Sequence, residues 1–303
     1  MFVFDSHCDT ACRLAKGEGL LCCGGHWSLE RARQYEGFVQ FFAAFVPPEE
    51  PDPAARCLTL LDAVEREVEQ NADKISKVTC WQETKHALKE GKTAAFLTVE
   101  GGFGKDCSMV ERLYQKGVRC MSLCWNQDND LCGGIEGKGG GVTRLGRQAV
   151  EEMNRLGMIL DVSHCSEQSF FDFASLVQKP LIATHSNARE VCPHPRNLTR
   201  EQFCVIRDMG GMVGLNLYPP FLRDRGGADV TDLVRHIEYF LSLDGENCIG
   251  LGADFDGIDC CMKGVCGIQD YSFLYEELCR YFQESLVKRL FCENYISFLK
   301  NHL

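Results

Sequence analysis

The segment FVFDSHCDT contains a histidine and an aspartate two residues apart, at the end of an apolar run. If residues 2–9 form a β-strand, the side chains of His7 and Asp9 point to the same face, because successive side chains of a strand alternate between its faces. Such a pair can deliver two ligands to one metal ion. An isolated His-x-Asp pair is common, so further ligands elsewhere in the chain have to support a metal site.

Further candidate ligands follow other apolar runs of the sequence. Glu100 follows AAFLTV, His164 follows MILDVS, His185 follows PLIAT and Asp254 follows CIGLGA. A charged or imidazole side chain in such a place costs free energy unless it is paired, hydrogen-bonded or bound to metal. Each also has a simpler interpretation: a histidine can be a hydrogen-bonded core residue, Glu100 can begin a turn and Asp254 can cap a helix. Five separate apolar runs, each a possible strand, end in such residues. This agreement favours one common site over five unrelated features.

Three histidines with two or three carboxylates form a ligand set suited to zinc and similar divalent ions. A mononuclear catalytic zinc normally takes three protein ligands, whereas this set offers five and one additional carboxylate. Two metal ions that share one carboxylate would use all five of these ligands. Two-metal sites activate a water molecule and hold the oxygens of the reacting group. The ligand set therefore predicts two divalent ions as cofactors.

Eight apolar runs predict eight β-strands, and the amphipathic stretches between them predict helices. The predicted strands are 2–9, 38–46, 94–101, 118–125, 158–164, 180–186, 212–218 and 248–255. The predicted helices are 54–72, 143–157, 166–178, 199–209, 229–243 and 271–300. Apolar strands that alternate with helices are typical of parallel sheets buried on both faces. The pattern predicts an α/β fold, a (β/α)8 barrel that forms one domain over residues 1–303.

The glycine-rich segment 126–143 lies after the fourth predicted strand. It does not match the phosphate-binding P-loop, because Lys138 is followed by glycine where that motif needs serine or threonine. We expect a flexible lid or a surface loop. In a barrel of this kind, functional side chains gather at the C-terminal ends of the strands, where the candidate ligands all lie.

The composition restricts the partners and the compartment. A net charge of −11 argues against nucleic acid and anionic membrane as partners, since both favour basic surfaces. The sequence shows no signal-peptide pattern and no apolar stretch of about 18 residues that could cross a membrane. The 19 cysteines include no Cys-x-x-Cys pair, which excludes the usual zinc-ribbon and thioredoxin spacing. They are interpreted as small buried side chains in a reducing cytosol, so a cytoplasmic location is expected.

Six segments of the sequence resemble the renal (membrane) dipeptidase family of zinc peptidases, and its bacterial members in particular. They are DSHCD, LTVEGG, MSLCWNQDN, LGRQAVEEMNRLGMILDVSHCS, ATHSNAREVCPHPRN and IGLGADFDG. The resemblance runs almost end to end and is most specific over residues 145–197. The family belongs to the amidohydrolase superfamily. The resemblance therefore implies a distorted (β/α)8 TIM-like barrel of the metallo-dependent hydrolase type.

The resemblance also implies which residues bind the metal ions. His7 and Asp9 would hold one zinc ion, and His164 and His185 would hold the second. Glu100 would bridge both ions and so take part in catalysis. Other divalent ions could replace zinc at such ligands.

Two further roles are implied for charged residues. Arg196, in HPRN, matches the arginine that anchors the substrate and would grip the C-terminal carboxylate of a dipeptide through two hydrogen bonds. Asp254 matches the catalytic aspartate and would move a proton from the attacking water to the leaving amine. Asp256 is the nearest rival for that second role.

The sequence departs from the mammalian members after the fourth predicted strand. Those members place a substrate-polarising histidine where this chain has Trp125 followed by Asn126, as bacterial members do. Asn126 could donate a hydrogen bond to the tetrahedral oxyanion. Tyr218 is expected to line the pocket, and Phe221 stands where the family has a second tyrosine. The secretion signal, membrane anchor and disulfides of the mammalian proteins are not expected here.

The predicted function is that of a binuclear zinc dipeptidase acting on dipeptides with a free C-terminal carboxylate. Family members often tolerate D-residues at the second position, so the same is expected here, and a homodimer would fit the family. One alternative is another amidohydrolase-type enzyme that acts on a cyclic amide, a lactone or a phosphoester, substrates that would offer Arg196 no free carboxylate. Another alternative is a metal-storage or thiol-buffering protein. The cysteines support this alternative, whereas the complete set of metal ligands argues against it.

Overall fold

Nine parallel β-strands form one sheet in the computed structural model, which describes residues 1–303. In chain order they are β1 (Phe2–Cys8), β2 (Gly37–Phe45), β3 (Ile75–Lys77), β4 (Thr93–Glu100), β5 (Val118–Met121), β6 (Ile159–Leu160), β7 (Ile182–Ala183), β8 (Met212–Leu215) and β9 (Ile249–Leu251). Eight strands follow the order β6-β5-β4-β2-β1-β9-β8-β7, and β3 pairs with the start of β4. A parallel bridge between Asp161 and Ile182 joins the two ends of this order. The predicted (β/α)8 barrel is therefore confirmed.

The observed strands are shorter than the predicted ones in the second half of the chain. Each predicted strand overlaps an observed strand, but β6 and β7 have only two residues each. The apolar runs there continue into irregular segments that carry buried polar side chains, so apolar character alone overestimates the strand length. The strand β3 was not predicted, because it has three residues and only Ile75 is buried.

Thirteen α-helices cover the outside of the barrel. They are α1 (Thr10–Leu14), α2 (Leu29–Ala32), α3 (Pro53–Gln70), α4 (Trp81–Lys89), α5 (Ser108–Gln115), α6 (Arg144–Leu156), α7 (Glu167–Leu176), α8 (Arg200–Asp208), α9 (Pro219–Leu222), α10 (Val230–Leu241), α11 (Tyr271–Leu278), α12 (Glu284–Lys288) and α13 (Asn294–His302). The helix α6 shows both predicted ends: the Thr143 hydroxyl accepts the Gly146 N–H, and Gly157 ends the helix with a left-handed φ of 72°. None of the helices combines the length and apolar character needed to span a membrane.

The prediction of helix throughout 271–300 is wrong. Helix α11 ends at Leu278, and Gln283 has an extended backbone before α12 begins. A π-helical turn, Arg289–Glu293, then leads into α13. An unbroken helix of that length would extend about 45 Å, beyond the side of such a barrel, whereas the breaks return apolar side chains to its base. Apolar spacing over the whole stretch did not reveal the change of direction.

The base of the barrel is filled by aromatic side chains that also fix β1. Tyr295 of α13 stacks on Phe4 with ring centroids 4.5 Å apart, and its hydroxyl donates to Ser6 Oγ over 2.7 Å. The Ser6 hydroxyl lies 2.6 Å from the carbonyl oxygen of Thr184 and 2.9 Å from that of Leu251. These contacts join β1, the segment after β7 and β9 across the barrel. By fixing the position of β1 in the barrel, they determine where the side chains that follow Ser6 lie at its C-terminal end.

The segment 126–143 is a surface loop whose centre is anchored. Residues 131–134 are buried, whereas residues 127, 128, 130, 136 and 138–140 are exposed. The Asp128 carboxylate accepts the N–H groups of Gly134 and Lys138 over 3.1 and 2.9 Å. A bridge joins Gly134 to Cys165, beyond β6. The loop therefore folds back onto the barrel, which brings its first residues to the C-terminal end of the strands.

Candidate active site

All ten predicted site residues lie together at the C-terminal end of the barrel. Nine of them line a cavity of about 620 Å³: Asp9, Glu100, Trp125, Asn126, His164, His185, Arg196, Tyr218 and Asp254. His7 lies beneath this cavity, with Nε2 within 3.8 Å of three carboxylates. A larger cavity of about 840 Å³ lies at the other end of the barrel, beside Phe2 at the start of β1. The predicted site residues gather at the cavity of about 620 Å³.

The first ligand group surrounds the end of β1. His7 Nε2 lies 3.5 Å from Asp9 Oδ2 and 3.4 Å from Glu100 Oε2. All three side chains are buried. One ligand atom of each lies within 4.8 Å of the others, a separation that one metal ion can span.

The second ligand group contains the two later histidines. His164 follows β6 and His185 follows β7, and both direct Nε2 toward Glu100 at the end of β4. Glu100 Oε1 contacts His164 Nε2 directly and lies 3.5 Å from His185 Nε2. Glu100 therefore faces the first group with Oε2 and the second group with Oε1.

Several buried atoms of these two groups have no adequate partner within the protein. His7 Nε2 and Asp9 Oδ1 are buried and make no hydrogen bond, which is unusual for polar atoms in a protein interior. His164 Nε2 and His185 Nε2 face each other at 2.8 Å. A histidine that binds metal presents an unprotonated ring nitrogen, and a carboxylate binds as an anion. The unpaired atoms and the donor types thus fit bound metal ions.

Negative charge is crowded in this buried site. Burial raises the pKa of Asp9 to about 7, and the charge of Glu100 adds to the effect. Burial also raises the pKa of Asp254, with the charge of His7 opposing and that of Glu100 reinforcing the shift. Burial lowers the pKa of His7, but the carboxylates of Glu100 and Asp9 outweigh it and hold that pKa well above its ordinary value. Cations are therefore electrostatically favoured here.

Polar side chains behind the histidines orient their rings. His164 Nδ1 lies 2.7 Å from Asn126 Oδ1, and His185 Nδ1 lies 2.8 Å from Thr184 Oγ1. The Thr184 hydroxyl lies 2.5 Å from Asp161 Oδ2. Hydrogen bonds at Nδ1 fix the ring and leave Nε2 available as the ligand atom. Asp161 and Thr184 were not predicted from the sequence, although polar residues within the apolar runs just before His164 and His185 were a visible signal.

The two aspartates of ADFDG have different surroundings. Both line the cavity, and Asp254 accepts the Asn216 side-chain N–H over 3.0 Å through Oδ2. Asp256 accepts the Thr10 hydroxyl over 2.6 Å and the His26 backbone N–H over 2.7 Å. Both backbones are left-handed, with φ of 65° and 67°, a strain of about 1–3 kcal/mol each that is typical of functional sites. Asp254 is therefore available for chemistry, while Asp256 anchors a neighbouring loop.

Gly257 passes so close to the acidic side chains that no larger residue fits. A Cβ atom there would lie 2.2 Å from Asp9 Oδ2 and 2.7 Å from Asp254 Oδ1. We expect Gly257→Ala to displace Asp9, lower the metal content and reduce activity at least about tenfold, as for changes next to metal ligands. Metal analysis and steady-state kinetics measure both effects. Gly227→Ala is the control, because no atom lies within 4 Å of its Cβ position; equal metal content in both variants would contradict the expectation.

Arg196 is buried beside the second ligand group. Its side chain contacts the carbonyl oxygen of Ser163 and lies 3.1 Å from His164 Nε2, and the guanidinium lies 5.5 Å from the centre of the Phe221 ring. Neither hydrogen-bonding partner is a carboxylate. The other arginine of this segment, Arg189, points elsewhere and pairs with Glu167.

The remaining predicted residues form the walls of the cavity. The Trp125 ring lies 5.9 Å from the His164 ring in a stacked arrangement. The Asn126 amide has partners on both sides, since its Nδ2 lies 3.3 Å from Glu136 Oε1 and its Oδ1 bonds to His164. The Tyr218 hydroxyl donates to Asp259 Oδ1 over 2.9 Å. Asn126 is thus engaged in holding His164.

Comparisons with known proteins agree with this arrangement. Two curated relatives are an uncharacterized protein in the pqqA 5′ region of Klebsiella pneumoniae, 42% identical over 169 residues, and the uncharacterized dipeptidase C965.12 of Schizosaccharomyces pombe, 30% identical over 278 residues. The alignments cover 52% and 84% of this chain, respectively. The chain spans less than two thirds of the length of these relatives, 62% and 66%.

A solved structure shares the fold over the whole chain. A metallo peptidase from Rhodobacter sphaeroides, liganded with a phosphinate mimic of the dipeptide L-Ala-D-Ala, superimposes with a TM-score of 0.91 at 26% identity. The match covers 100% of this chain and 99% of that one. The model of the membrane dipeptidase family, peptidase family M19, matches residues 1–302. With its barrel and its clustered histidine and carboxylate ligands, the chain belongs to the membrane dipeptidase family.

Proposed function

We propose that this protein is a binuclear zinc dipeptidase that hydrolyses dipeptides with a free C-terminal carboxylate. The observation that carries the proposal is the position of Glu100, whose two oxygens face two different groups of ligands. The family match and the metallo peptidase with a bound dipeptide mimic support the same reaction. The cavity of about 620 Å³ is large enough for a dipeptide.

The proposed metal ligands are the residues of the first and second ligand groups. His7 and Asp9 would hold one ion, His164 and His185 the other, and Glu100 both. Zinc is proposed because nitrogen and carboxylate ligands suit it, while other divalent ions would fit the same donors. When bound, such ions would supply Lewis acidity and lower the pKa of bound water.

Asp254 is proposed to move the proton. Its Oδ2 is held by Asn216, while Oδ1 lies toward His7, 3.8 Å away. A carboxylate in this place can take a proton from the attacking water and release it to the leaving amine. Asn126 is proposed to position His164, since its amide is already engaged there. Trp125 and Tyr218 are proposed to line the substrate cavity.

Arg196 is proposed to bind the substrate carboxylate. A buried guanidinium is costly unless it has an anionic partner, and the hydrogen-bonding partners of Arg196 within the protein are a carbonyl oxygen and a histidine ring nitrogen rather than a carboxylate. The C-terminal carboxylate of a dipeptide would supply that partner through two parallel hydrogen bonds. A longer peptide would place its carboxylate elsewhere, which accounts for a preference for dipeptides.

We expect Arg196→Ala to raise KM strongly, because truncating one partner of a buried charge pair costs about 2–5 kcal/mol. Steady-state kinetics with a dipeptide and its C-terminal amide measure the effect. The amide should be a similarly poor substrate for the variant and the unmodified protein. Arg189→Ala is the control, since Arg189 pairs with Glu167 outside the cavity. A KM unchanged in Arg196→Ala but raised in Arg189→Ala would transfer the role to Arg189.

Tolerance of a D-residue at the second position is part of the proposal. Its support is that the Rhodobacter sphaeroides protein was solved with a mimic of L-Ala-D-Ala. A panel of L,L and L,D dipeptides, assayed on samples whose zinc content is measured, tests substrate and metal together. Turnover with two zinc ions per chain would support the function. Turnover restricted to cyclic amides, lactones or phosphoesters would favour another hydrolase on the same barrel.

We also propose that residues 1–303 act as one domain in the cytoplasm. The support for one domain is that one sheet contains strands from Phe2 to Leu251 and that α13 packs into its base. The support for the cytoplasm is that all 19 cysteines are free. A homodimer remains a prediction from the family, which light scattering on the purified protein can test.

A further inference from the structure

Three buried cysteines converge behind the active site. The Sγ atoms of Cys124, Cys132 and Cys165 all lie within 4.8 Å of one another. None of the three residues is more than 4% exposed. They come from the segment after β5, the surface loop 126–143 and the segment after β6. Folding of the chain, rather than a sequence motif, brings the thiols together.

The backbone around the three thiols is fixed by contacts that do not involve sulfur. A bridge joins Cys132 to Val142, and another joins Gly134 to Cys165. The Ser166 N–H donates to the carbonyl oxygen of Gly133 over 2.9 Å. The three sulfur atoms are consequently held near one another by the fold.

The thiols have weak partners within the protein. Cys124 Sγ lies 3.7 Å from the carbonyl oxygens of Gly133 and His164. Thiols are weak hydrogen-bond donors, so these contacts stabilise the arrangement little. An isolated buried cysteine, such as Cys57 in α3, packs as a small apolar residue. Three adjacent thiols instead offer a ligand set made of sulfur alone.

The number and type of ligands select the ion. Thiolate ligands favour soft ions such as Cu(I), and also zinc and iron–sulfur clusters. Structural zinc takes four ligands in a tetrahedron, whereas this group offers three, and Cu(I) is satisfied by three sulfurs. Metal–sulfur distances of about 2.3 Å place three sulfurs about 4 Å apart around one ion. Small side-chain rotations would bring the three Sγ atoms to that separation.

We propose that Cys124, Cys132 and Cys165 form a binding site for Cu(I), coordinated by sulfur alone. Binding releases thiol protons and changes the oxidation state of neither copper nor sulfur. Cys165 directly follows His164, and Cys124 directly precedes Trp125. A bound ion would therefore fix the backbone beneath two residues of the cavity.

The site is tested by measuring how much copper the protein binds in competition with a Cu(I) chelator. The protein is first loaded with zinc, and its exposed thiols, Cys22, Cys260 and Cys266, are alkylated. Cu(I) is then added in the presence of a Cu(I) chelator, and copper per chain is measured. We expect Cys132→Ser to hold one copper fewer than the unmodified protein and Cys57→Ser to hold the same amount. Equal copper in Cys132→Ser and the unmodified protein overturns the proposal.

Two measurements on the unmodified protein keep the test independent of how Cys132→Ser folds. X-ray absorption at the copper edge should show three sulfur neighbours, and nitrogen neighbours or only two sulfurs would overturn the site. Excess zinc should leave the copper in place, and displacement by zinc would overturn the preference for a soft ion. Copper should also raise the melting temperature of Cys57→Ser but not of Cys132→Ser, because an ion that binds only the folded state stabilises it.

Discussion

Glu100→Gln should lower the metal content from the proposed two ions per chain to one or fewer and reduce kcat/KM by about 10³-fold. Oε2 of Glu100 faces His7, and Oε1 faces His164 and His185. Glutamine keeps one oxygen but replaces the other with an amide nitrogen, which cannot act as a ligand. It also removes one negative charge from a buried site that is to hold two cations. Metal analysis of purified protein and steady-state dipeptide hydrolysis measure the two effects.

Glu136→Gln provides the matched control for this variant. Glu136 lines the same cavity but lies in the surface loop, where its carboxylate accepts hydrogen bonds from Asn126 and Gln127. The same chemical change there should leave both ions bound. Two ions per chain and full activity in Glu100→Gln would show that Glu100 does not bridge the two groups of ligands.

The sequence alone predicted the residues that meet in the cavity, because apolar strands of a parallel barrel end at one face. Glu100, His164 and His185 each follow a buried run, and the closed order of the strands brings their side chains together. Burial makes an unpaired polar residue costly, so its position at a strand end carried information. This inference requires only that the strands end at the same face of the barrel. The failure to predict β3 therefore did not affect it.

The contacts that orient the ligands could not be predicted, since they join residues far apart in sequence. Asp5 Oδ1 accepts the N–H groups of His7 and Ala253 over 3.1 Å each, and the Tyr271 hydroxyl contacts Asp5 Oδ2. These bonds join the ends of β1 and β9, which carry His7, Asp9 and Asp254. Apolar periodicity has no means of pairing Asp5 with a tyrosine 266 residues away.

The role of Asn126 illustrates a second limit of the sequence. Its place after β5 predicts a hydrogen bond to the substrate, while the direction of its side chain in the structure depends on the surface loop that folds back over it. That loop brings Glu136 to one side of the amide, and β6 brings His164 to the other. A residue can therefore be assigned to the cavity from sequence while its chemical partner follows only from the three-dimensional arrangement.

Asp254→Asn should keep both metal ions yet lower kcat by about 10²–10⁴-fold, the range typical of general acid–base groups. Five other residues supply the proposed ligands, so loss of the Asp254 charge should not empty either site. Burial raises the pKa of Asp254 toward the range in which a carboxylate can accept and return a proton. Asparagine can still accept the Asn216 hydrogen bond through its oxygen, but it cannot carry the proton. Activity from the metal ions alone should persist at the reduced rate.

Kinetics, metal analysis and binding of a phosphinate dipeptide mimic together separate proton transfer from metal binding. Asp259→Asn is the matched control, since Asp259 lines the same cavity but pairs with the Tyr218 hydroxyl, and it should retain kcat within a few-fold. Asp254→Asn should bind the mimic nearly as well as the unmodified protein does, because the mimic needs the ions and Arg196 rather than a proton carrier. Full kcat in Asp254→Asn would remove this residue from the reaction. Loss of an ion would make it a ligand, and the proton would then have to move through another group at the cavity.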